Sequence, residues 1–273
     1  MEQSKVRMPV VAGQFYPSSG QGLKKQIEGL IDRNADRLDA LACMLPHAGY
    51  MYSGRVAVET VSAVNIRDKV ILLGPNHTGN GAQFSIMTEG IWKTPLGEIR
   101  IDSGLADKIL RNSKYLENDS LAHACEHSLE VELPILQYFK DDFEIVPIAF
   151  LSGDLQALKE IGKEIASVLR EPDIKNSTMI VASSDMTHYE AQAEARKKDQ
   201  EAIQAILELD EDKLMQKIKR FNISMCGYAP VIVMLSAVKL LGAKSAKLIK
   251  YQTSGDITGE NDSVVGYAGI TIY

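Results

Sequence analysis

Short apolar runs alternate with longer amphipathic stretches along most of this chain, and that alternation constrains the fold more than any other feature. The apolar runs are rich in Val, Ile and Leu, and they span 41–46, 69–74, 143–150, 179–183, 246–252 and 264–272. Their nearly continuous apolar character predicts strands that are buried on both faces. Between these runs, apolar residues recur at helical spacing, which predicts helices over 20–33, 54–63, 103–111, 155–169 and 191–209.

The order of these elements predicts an α/β fold with a mostly parallel central sheet. A uniformly apolar segment, 230–241, predicts a buried helix, and segment 86–102 predicts an inserted hairpin with its turn at 94–97. The length of 273 residues suits one large domain or two small ones, and because no long linker or shift in composition divides the chain we expect a single domain over 1–273. In open α/β sheets, ligands bind beyond the carboxyl ends of the strands, so the residues that follow the strands are the first candidates for a site.

Composition argues against several classes of protein. The net charge is −6, which argues against an electrostatic grip on nucleic acid. No window approaches the roughly 18 apolar residues of a membrane span, and residues 1–12 lack the apolar core of a signal peptide. The three cysteines, Cys43, Cys125 and Cys226, are widely spaced and odd in number, so we expect no disulfide framework and a cytoplasmic location.

Three of the five histidines come directly after predicted strands. His47, His77 and His188 lie in turns rich in Gly, Pro and Ser, where the backbone can approach a ligand closely. A single histidine in such a turn more often caps a helix or bonds a carbonyl, but three in equivalent positions favour a common site. Imidazole is the commonest protein ligand for transition metals, and two imidazoles plus one further ligand leave a position open for water or substrate.

The other two histidines, His123 and His127, are four positions apart and could bridge a metal ion if both were helical. The alternative is the start of a helix whose acidic first turn complements the helix dipole. We favour that alternative for Glu126 and Glu132. For His127 and Glu130, which would share a helical face, we favour a place in the wall of the site or directly behind it.

Cys226 comes just before the predicted buried helix, where the helix dipole favours a thiolate. It is a candidate third metal ligand or a nucleophile, although a cysteine taken alone is more often a packed core residue. Cys43 lies inside an apolar strand, and Cys125 has no context that would stabilise a thiolate. We interpret both as structural.

Motifs spread in order over nearly the whole chain resemble those of the Memo family. They are Ala12-Gly13-Gln14-Phe15-Tyr16-Pro17, Pro46-His47-Ala48-Gly49-Tyr50, Gly74-Pro75-Asn76-His77, Thr94-Pro95-Leu96-Gly97, Glu126-His127-Ser128-Leu129-Glu130-Val131, Ser183-Ser184-Asp185-Met186-Thr187-His188 and Met225-Cys226-Gly227. The resemblance implies a three-layer fold similar to that of class III extradiol dioxygenases, with helices on both faces of a mostly parallel or mixed sheet.

The same resemblance implies a metal site. The dioxygenases hold non-haem Fe(II) with two histidines and a carboxylate, whereas the Memo-like pattern pairs two histidines with a cysteine. Carried over by position, His47, His77 and Cys226 would be the ligands. The implied ion is Fe(II), with Cu(I) or Zn(II) as alternatives because a thiolate is a soft donor.

Catalytic residues are also implied by this resemblance. His127, Asp185 and His188 would line the same pocket. His188 resembles the acid–base histidine of the dioxygenases. Asp185 would be either a fourth ligand or a residue that orients a ligand imidazole.

Three functions are consistent with these patterns. The first is a metal-dependent oxidoreductase acting on a small molecule, and the second is a phosphopeptide- or partner-binding module, as the resembled eukaryotic proteins suggest. No Arg cluster adjoins the strand ends, so we rank the second lower. The third is a zinc hydrolase with Glu130 or Asp185 as its base. We expect Tyr50, Asn76 and Glu130 to contact the substrate.

Overall fold

The structure is a computed structural model, and it describes residues 6–31 and 37–273. The strands are β1 (Val6–Arg7), β2 (Ala42–Leu45), β3 (Lys69–Pro75), β4 (Phe84–Ile86), β5 (Ile91–Thr94), β6 (Gly97–Arg100), β7 (Glu117–Asn118), β8 (Glu144–Phe150), β9 (Thr178–Ser183), β10 (His188–Glu190), β11 (Ala246–Thr253) and β12 (Val264–Ile272). The helices are α1 (Gly20–Glu28), α2 (Gly54–Ser62), α3 (Ser103–Asn112), α4 (Leu121–Ala124), α5 (Glu132–Phe139), α6 (Leu155–Leu169), α7 (Pro172–Ser177), α8 (Gln192–Leu207), α9 (Glu211–Phe221), α10 (Tyr228–Leu240) and α11 (Gly255–Thr258).

A mixed sheet of nine strands forms the centre of the fold. Its order is β10-β12-β2-β9-β3-β8-β4-β7, with β11 paired to β12. The four central strands, β2-β9-β3-β8, run parallel, and antiparallel strands β12 and β4 flank them. The central strands are buried almost throughout, as their apolar sequences predict. Helices flank this sheet, and α10 packs on β3 and β9 while α2 packs on β11 and β12. The predicted α/β fold is therefore confirmed.

A second, three-stranded sheet has the order β1-β5-β6. Strands β5 and β6 form the hairpin predicted within 86–102, with the turn at 94–97 as expected. Strand β1 pairs in parallel with β5. This sheet places the start of the described chain beside the loops that carry the functional residues.

Two helix boundaries, the end of α1 and the start of α5, differ most from the sequence predictions, and the other predicted helices agree to within one or two residues. Helix α1 ends at Glu28 rather than at position 33, because Gly29 has a low helix propensity and caps the last turn; positions 32 and 33 lie outside the described residues. Helix α5 begins only at Glu132, with Pro134 in its first turn, where a missing N–H costs no helical hydrogen bond. The two preceding residues of interest, His127 and Glu130, therefore lie in a turn and not on a helical face.

Strand β9 lies between β2 and β3, and this order positions the site. Leu45 at the end of β2 is level with Ser183 of β9, and Leu73 of β3 is level with Ala182 of β9. The loops that follow these strands therefore meet at one edge of the sheet. Across the described ranges, no helix is both long enough and apolar enough to span a membrane.

Candidate metal centre

A pocket of about 550 Å³ opens at the carboxyl edge of the parallel strands. His47 follows β2, His77 follows β3, and Asp185 follows β9, so strand order alone brings these three residues together. Cys226, just before α10, completes the floor of the pocket. The rest of the wall consists of Gln14, Phe15, Ala48, Gly49, Met51, Tyr52, His127, His188, Tyr189, Ser224, Val265 and Tyr267.

Three donor atoms converge in this pocket. The Nε2 atom of His47 lies 3.2 Å from the Sγ atom of Cys226, and one ring nitrogen of His77 lies with both of them inside a mutual distance of 4.8 Å. A tetrahedral ion with Zn–N of about 2.0–2.1 Å and Zn–S of about 2.3 Å separates its nitrogen and sulfur ligands by roughly 3.6 Å. The three side chains therefore fit one transition-metal ion with small adjustments.

His47 is held at both its backbone and its ring. Its backbone N–H donates to Oδ1 of Asp185 at 2.9 Å, and its Nδ1 lies 2.7 Å from Oγ of Ser183. Burial, followed by the neighbouring histidines, lowers the pKa of this imidazole well below its usual value. A neutral ring is the form that binds metal, and with Nδ1 bonded to Ser183 the nitrogen that faces Cys226, Nε2, is the one that can do so.

His77 is held by a buried carboxylate, Glu126. The backbone N–H of His77 donates to Glu126, and its Nδ1 lies 2.9 Å from Glu126 Oε1. Burial alone would raise the pKa of Glu126, but the hydrogen bond and charge of His77 and the N–H of Ser128 outweigh burial and hold it at about 2. An ionised carboxylate only accepts hydrogen bonds, so Nδ1 of His77 carries a proton, and in the neutral ring Nε2 keeps its lone pair for a metal ion.

Cys226 is positioned by the close approach of its loop to β9. A Cβ atom on Gly227 would lie 2.3 Å from the carbonyl oxygen of Ser183, so only glycine permits this approach. The N–H of Asp185 donates to Sγ of Cys226 at 3.3 Å. Burial nevertheless raises the pKa of the Cys226 thiol far above its usual value, so the thiolate that the helix start predicted is not favoured in the protein alone. A cation is the charge that would compensate a thiolate at this position.

A second group with metal-binding geometry shares one residue with the first. His77, Glu126 and His127 offer ligand atoms that also lie within 4.8 Å of one another. Here, however, the ring nitrogen of His77 nearest to Glu126 already forms a hydrogen bond with that carboxylate. Glu126 therefore orients the His77 ring, and this second group is not a separate metal site.

His188 lies across the pocket, at the start of β10. Its backbone N–H donates to Oγ of Ser224 at 2.8 Å, and its Nδ1 lies 3.0 Å from the carbonyl oxygen of Ser224. A carbonyl oxygen only accepts, so Nδ1 carries a proton, and in the neutral ring Nε2 keeps its lone pair. This tautomer leaves Nε2 free to exchange a proton with a bound molecule.

His127 and Asp185 both line the pocket, as the sequence predicts. The ring of His127 stacks on that of His77, with centroids 4.7 Å apart, and meets the edge of Phe15 at 5.0 Å. Burial lowers the pKa of His127 and raises that of Asp185 to about 6. Because Oδ1 of Asp185 accepts the backbone N–H of His47, the geometry favours the orienting role over direct ligation.

Tyr50 and Asn76 do not line the pocket, contrary to our expectation that they contact substrate. Tyr50 is 2% exposed, and its hydroxyl donates to the carbonyl oxygen of Val131. The side chain of Asn76 closes its own loop by donating to the carbonyl oxygen of Asn80 at 2.7 Å. Their polar atoms are therefore used within the protein.

Glu130 does not line the pocket either, which corrects its expected contact with substrate and leaves the position behind the wall that the sequence also allows. The side chain is fully buried and forms an ion pair of 2.7 Å with Arg7. The same carboxylate accepts hydrogen bonds from the N–H groups of Val10 and Val11 and from the hydroxyl of Tyr16. Glu130 therefore fastens the N-terminal segment to the turn that carries His127, and it is not available to substrate or as a base.

His123 and two cysteines lie outside the centre. His123 is 1% exposed, packs 6.0 Å from the Trp92 ring, and has no hydrogen-bond partner for either ring nitrogen. It does not bridge a metal with His127. Cys43 is buried in β2, which confirms its structural role, whereas Cys125 is exposed and is not a core residue, because α4 ends beside it at the surface.

Sequence reasoning missed the residues behind the histidines. Glu126 and Glu132 were assigned to a helix start, yet Glu126 holds His77, and Glu132 lies 2.7 Å from Ser183, the residue that contacts His47. The available signal for Ser183 was its place two residues before Asp185 at a strand end. No sequence signal marks the two glutamates, because their partners follow other strands.

Known proteins resemble this chain over its whole length. A family model described as Memo-like protein matches residues 7–271. MEMO1 family protein MK0963 of Methanopyrus kandleri is 42% identical over 97% of this chain and 98% of its own length. A MEMO1 family protein of Methanosarcina mazei is 43% identical over 98% of this chain and 99% of its own length.

A solved structure supports the fold. The crystal structure of the uncharacterized protein JW3007 from Escherichia coli K12 matches with a TM-score of 0.57, covering 85% of this chain and 99% of that one. The two sequences are 13% identical. The likeness therefore extends to the arrangement of strands and helices and no further.

Proposed function

The chain belongs to the Memo family, and we propose that it is a metal-dependent oxidoreductase whose ion is held by His47, His77 and Cys226. The observation that carries this proposal is the convergence of two imidazole nitrogens and one sulfur at the floor of a pocket. Both histidines have Nδ1 engaged, so each presents Nε2 to the same point.

The donor set determines which ions fit. Imidazole suits iron, copper and zinc, and a thiolate favours the softer ions among them. We propose Fe(II) first, with Cu or Zn as alternatives. When bound, an iron or copper ion would supply one-electron redox chemistry at an open coordination position.

The protein residues around the centre have separate roles. His188 would accept or deliver a proton at Nε2, since Ser224 holds Nδ1 in the protonated form. His127 would be a second proton-transfer group, because its ring lines the same pocket and stacks on His77. Asp185 would hold the loop of His47 at its backbone N–H.

The pocket wall supports a small-molecule substrate. Aromatic and apolar side chains dominate it, and no Arg or Lys of the described ranges lines it. Recognition of a phosphorylated peptide usually relies on Arg, so the wall gives no support to the binding-module alternative.

Metal analysis tests this proposal directly. The wild-type protein, purified without oxygen, should bind about one Fe(II) per chain, and the iron-loaded protein should take up oxygen in the presence of a reductant. His47→Ala and Cys226→Ser should lose the ion, whereas Cys125→Ser, a change at the exposed cysteine, should retain it. Full metal content in both His47→Ala and Cys226→Ser would show that the ligand set is wrong.

The same samples separate the oxidoreductase from the zinc hydrolase. Oxygen uptake by the iron- or copper-loaded protein supports the oxidoreductase. Ester or amide hydrolysis by the zinc-loaded protein, with no oxygen uptake by the other two forms, would favour the hydrolase.

A further inference from the structure

Glu132 is a buried acidic residue without a countercharge. Its side chain is 0% exposed in the first turn of α5, and its Oε2 atom has no hydrogen-bond partner within 6–31 and 37–273. Among the residues that the structure describes, no Lys, Arg or His forms an ion pair with it. Burying an ionised carboxylate without a cation has a large cost in free energy. The hydrogen bond that the other oxygen of Glu132 forms therefore helps to decide whether the group is ionised.

That contact is with Ser183, and Ser183 has two other polar neighbours. Its Oγ atom lies 2.7 Å from Glu132 Oε1, 2.9 Å from the carbonyl oxygen of Ser128 and 2.7 Å from Nδ1 of His47. All three distances are those of good hydrogen bonds. Because Ser183 is 0% exposed, water does not compete for its hydroxyl.

The number of protons available around Ser183 Oγ determines which group donates in each of these three hydrogen bonds. A serine hydroxyl has one proton to donate and can accept from two donors. The carbonyl oxygen of Ser128 can only accept, so it takes the single Ser183 proton. The other two contacts are then hydrogen bonds only if Nδ1–H of His47 and an O–H of Glu132 both donate to Ser183 Oγ.

If Glu132 were ionised, fewer of the buried polar groups in this cluster would have a hydrogen-bond partner than if it were neutral. It would take the Ser183 proton, which would leave the buried carbonyl oxygen of Ser128 without this donor and a buried negative charge without a cation. The cost of one lost buried partner adds to the cost of the charge. Burial and the nearby Asp185 also raise the pKa of Glu132 well above its usual value, although Ser183 opposes them.

We propose that Glu132 is a positioning residue for the metal centre: as a neutral acid it donates to Ser183, and Ser183 in turn holds His47 with its proton on Nδ1 and its lone pair on Nε2. The inference rests on the proposed metal-binding function, because it concerns how one ligand of that centre is prepared. Glu132 reaches the centre only through Ser183 and His47, since it is not a member of the pocket wall.

The two proposed ligand histidines then differ in the group to which Nδ1–H donates. His77 donates from Nδ1 directly to the carboxylate of Glu126, whereas His47 donates to a hydroxyl backed by a neutral acid. An ionised partner increases the basicity of a ligand imidazole more than a neutral one does. His77 is thus the stronger donor of the pair, and the buried acid behind His47 adds no negative charge to the site.

Measurements on the metal-free protein test the protonation state. Difference infrared spectra of wild type and Glu132→Gln at pH 7 should show a protonated-carboxyl C=O band that the variant lacks. Long-range ¹H–¹⁵N spectra of histidine-labelled protein should show His47 as the Nδ1–H tautomer in wild type and in Glu132→Gln, whose amide N–H can replace the acid as donor. Absence of the carboxyl band, or a His47 ring protonated at Nε2 in wild type, would overturn the assignment.

Zinc affinity tests the positioning role, with Zn²⁺ in competition with a chromophoric chelator as the probe. Glu132→Leu and Ser183→Ala should bind Zn²⁺ about 10- to 100-fold more weakly, the usual loss for residues behind a metal ligand, and Glu132→Gln should bind as wild type does. Thr178→Val is the matched control, because it removes a buried, unpartnered hydroxyl at the other end of β9 and should leave affinity unchanged. Equal losses in Glu132→Gln and Glu132→Leu would overturn the proposal.

The two proposals fail separately. If wild type binds none of the tested ions, the proposed function fails, and the infrared and NMR results on the metal-free protein still decide the protonation state of Glu132. If Glu132→Leu does not fold, wild type and Glu132→Gln still give both the carboxyl band and the His47 tautomer.

Discussion

The Nε2 atom of His47 lies 3.2 Å from Sγ of Cys226, although 179 positions separate the two residues in the chain. Both are held against the end of β9, His47 by Ser183 and Asp185 and Cys226 by the glycine that follows it. Changes to these supports should therefore alter metal binding even where no ligand is touched.

Gly227→Ala should displace the loop of Cys226. Its new Cβ atom would lie 2.3 Å from a backbone carbonyl oxygen, so the loop must shift. We expect a loss of about 1–3 kcal/mol in the free energy of unfolding, typical of overpacking, and a clear fall in metal content. Urea unfolding and elemental analysis measure the two effects.

Gly104→Ala is the control for this change. Its Cβ atom would meet its nearest neighbour at an ordinary 3.5 Å, in the first turn of α3. Stability should rise slightly or stay the same, and metal content should not change. Normal metal binding by Gly227→Ala would show that the close approach to β9 does not position Cys226.

His188→Gln should separate proton transfer from metal binding. The ring is outside the donor group, and its Nδ1 is held by Ser224, so the ion should still bind. Turnover, measured as oxygen uptake by the iron-loaded protein, should fall about 10²- to 10⁴-fold, the usual contribution of a general acid or base. A loss of metal in this variant would instead identify His188 as a ligand.

Glu130→Gln should destabilise the protein through Arg7. The side chains of this pair are only 4% and 0% exposed, and removal of the carboxylate charge leaves the guanidinium buried without its partner. We expect a loss of about 3 kcal/mol or more in the free energy of unfolding. Asp107→Asn, in an exposed pair with Arg111, should leave stability nearly unchanged, and equal effects of the two changes would contradict this explanation.

His123 should make the protein less stable in mild acid. Burial, followed by the charge of Arg7, lowers the pKa of His123 from 6.5 to about 4. Between these values the unfolded chain binds a proton that the folded one does not, so stability is complete above pH 6.5 and is lost as the pH falls towards 4. The shift corresponds to roughly 3 kcal/mol at pH 4.

His123→Gln isolates this contribution, because every other titrating group is shared with wild type. The difference in unfolding free energy between the two proteins should change by that amount from pH 7.5 to pH 4, in the direction that favours the variant at low pH. Parallel stability curves would show that His123 is not kept neutral by the fold.

The strands and the candidate ligand histidines could be predicted because they depend on local patterns. Helix α6 and strand β12 have the predicted bounds, since their apolar periodicity is strong and their ends are marked. His47 and His77 were identified because the residues after parallel strands face a common edge. These arguments need only the order of elements along the chain.

The residues behind the ligands could not be predicted in this way. The contact between Glu132 and Ser183 joins positions 51 apart, and the contact between Arg7 and Glu130 joins positions 123 apart. Both depend on how the turn before α5 packs against other elements. A glutamate at a helix start has an adequate local explanation, and nothing in the local pattern indicates its distant partner.

The place of β9 between β2 and β3 also determines when the centre can form. The strand that separates the two earlier ones is made about a hundred residues after them, and the sulfur follows still later in the chain. During synthesis, His47 and His77 are therefore made before the strand that lies between β2 and β3 in the folded sheet. We therefore expect this centre to bind its metal ion late in biogenesis, after the ribosome has synthesised the chain past Cys226.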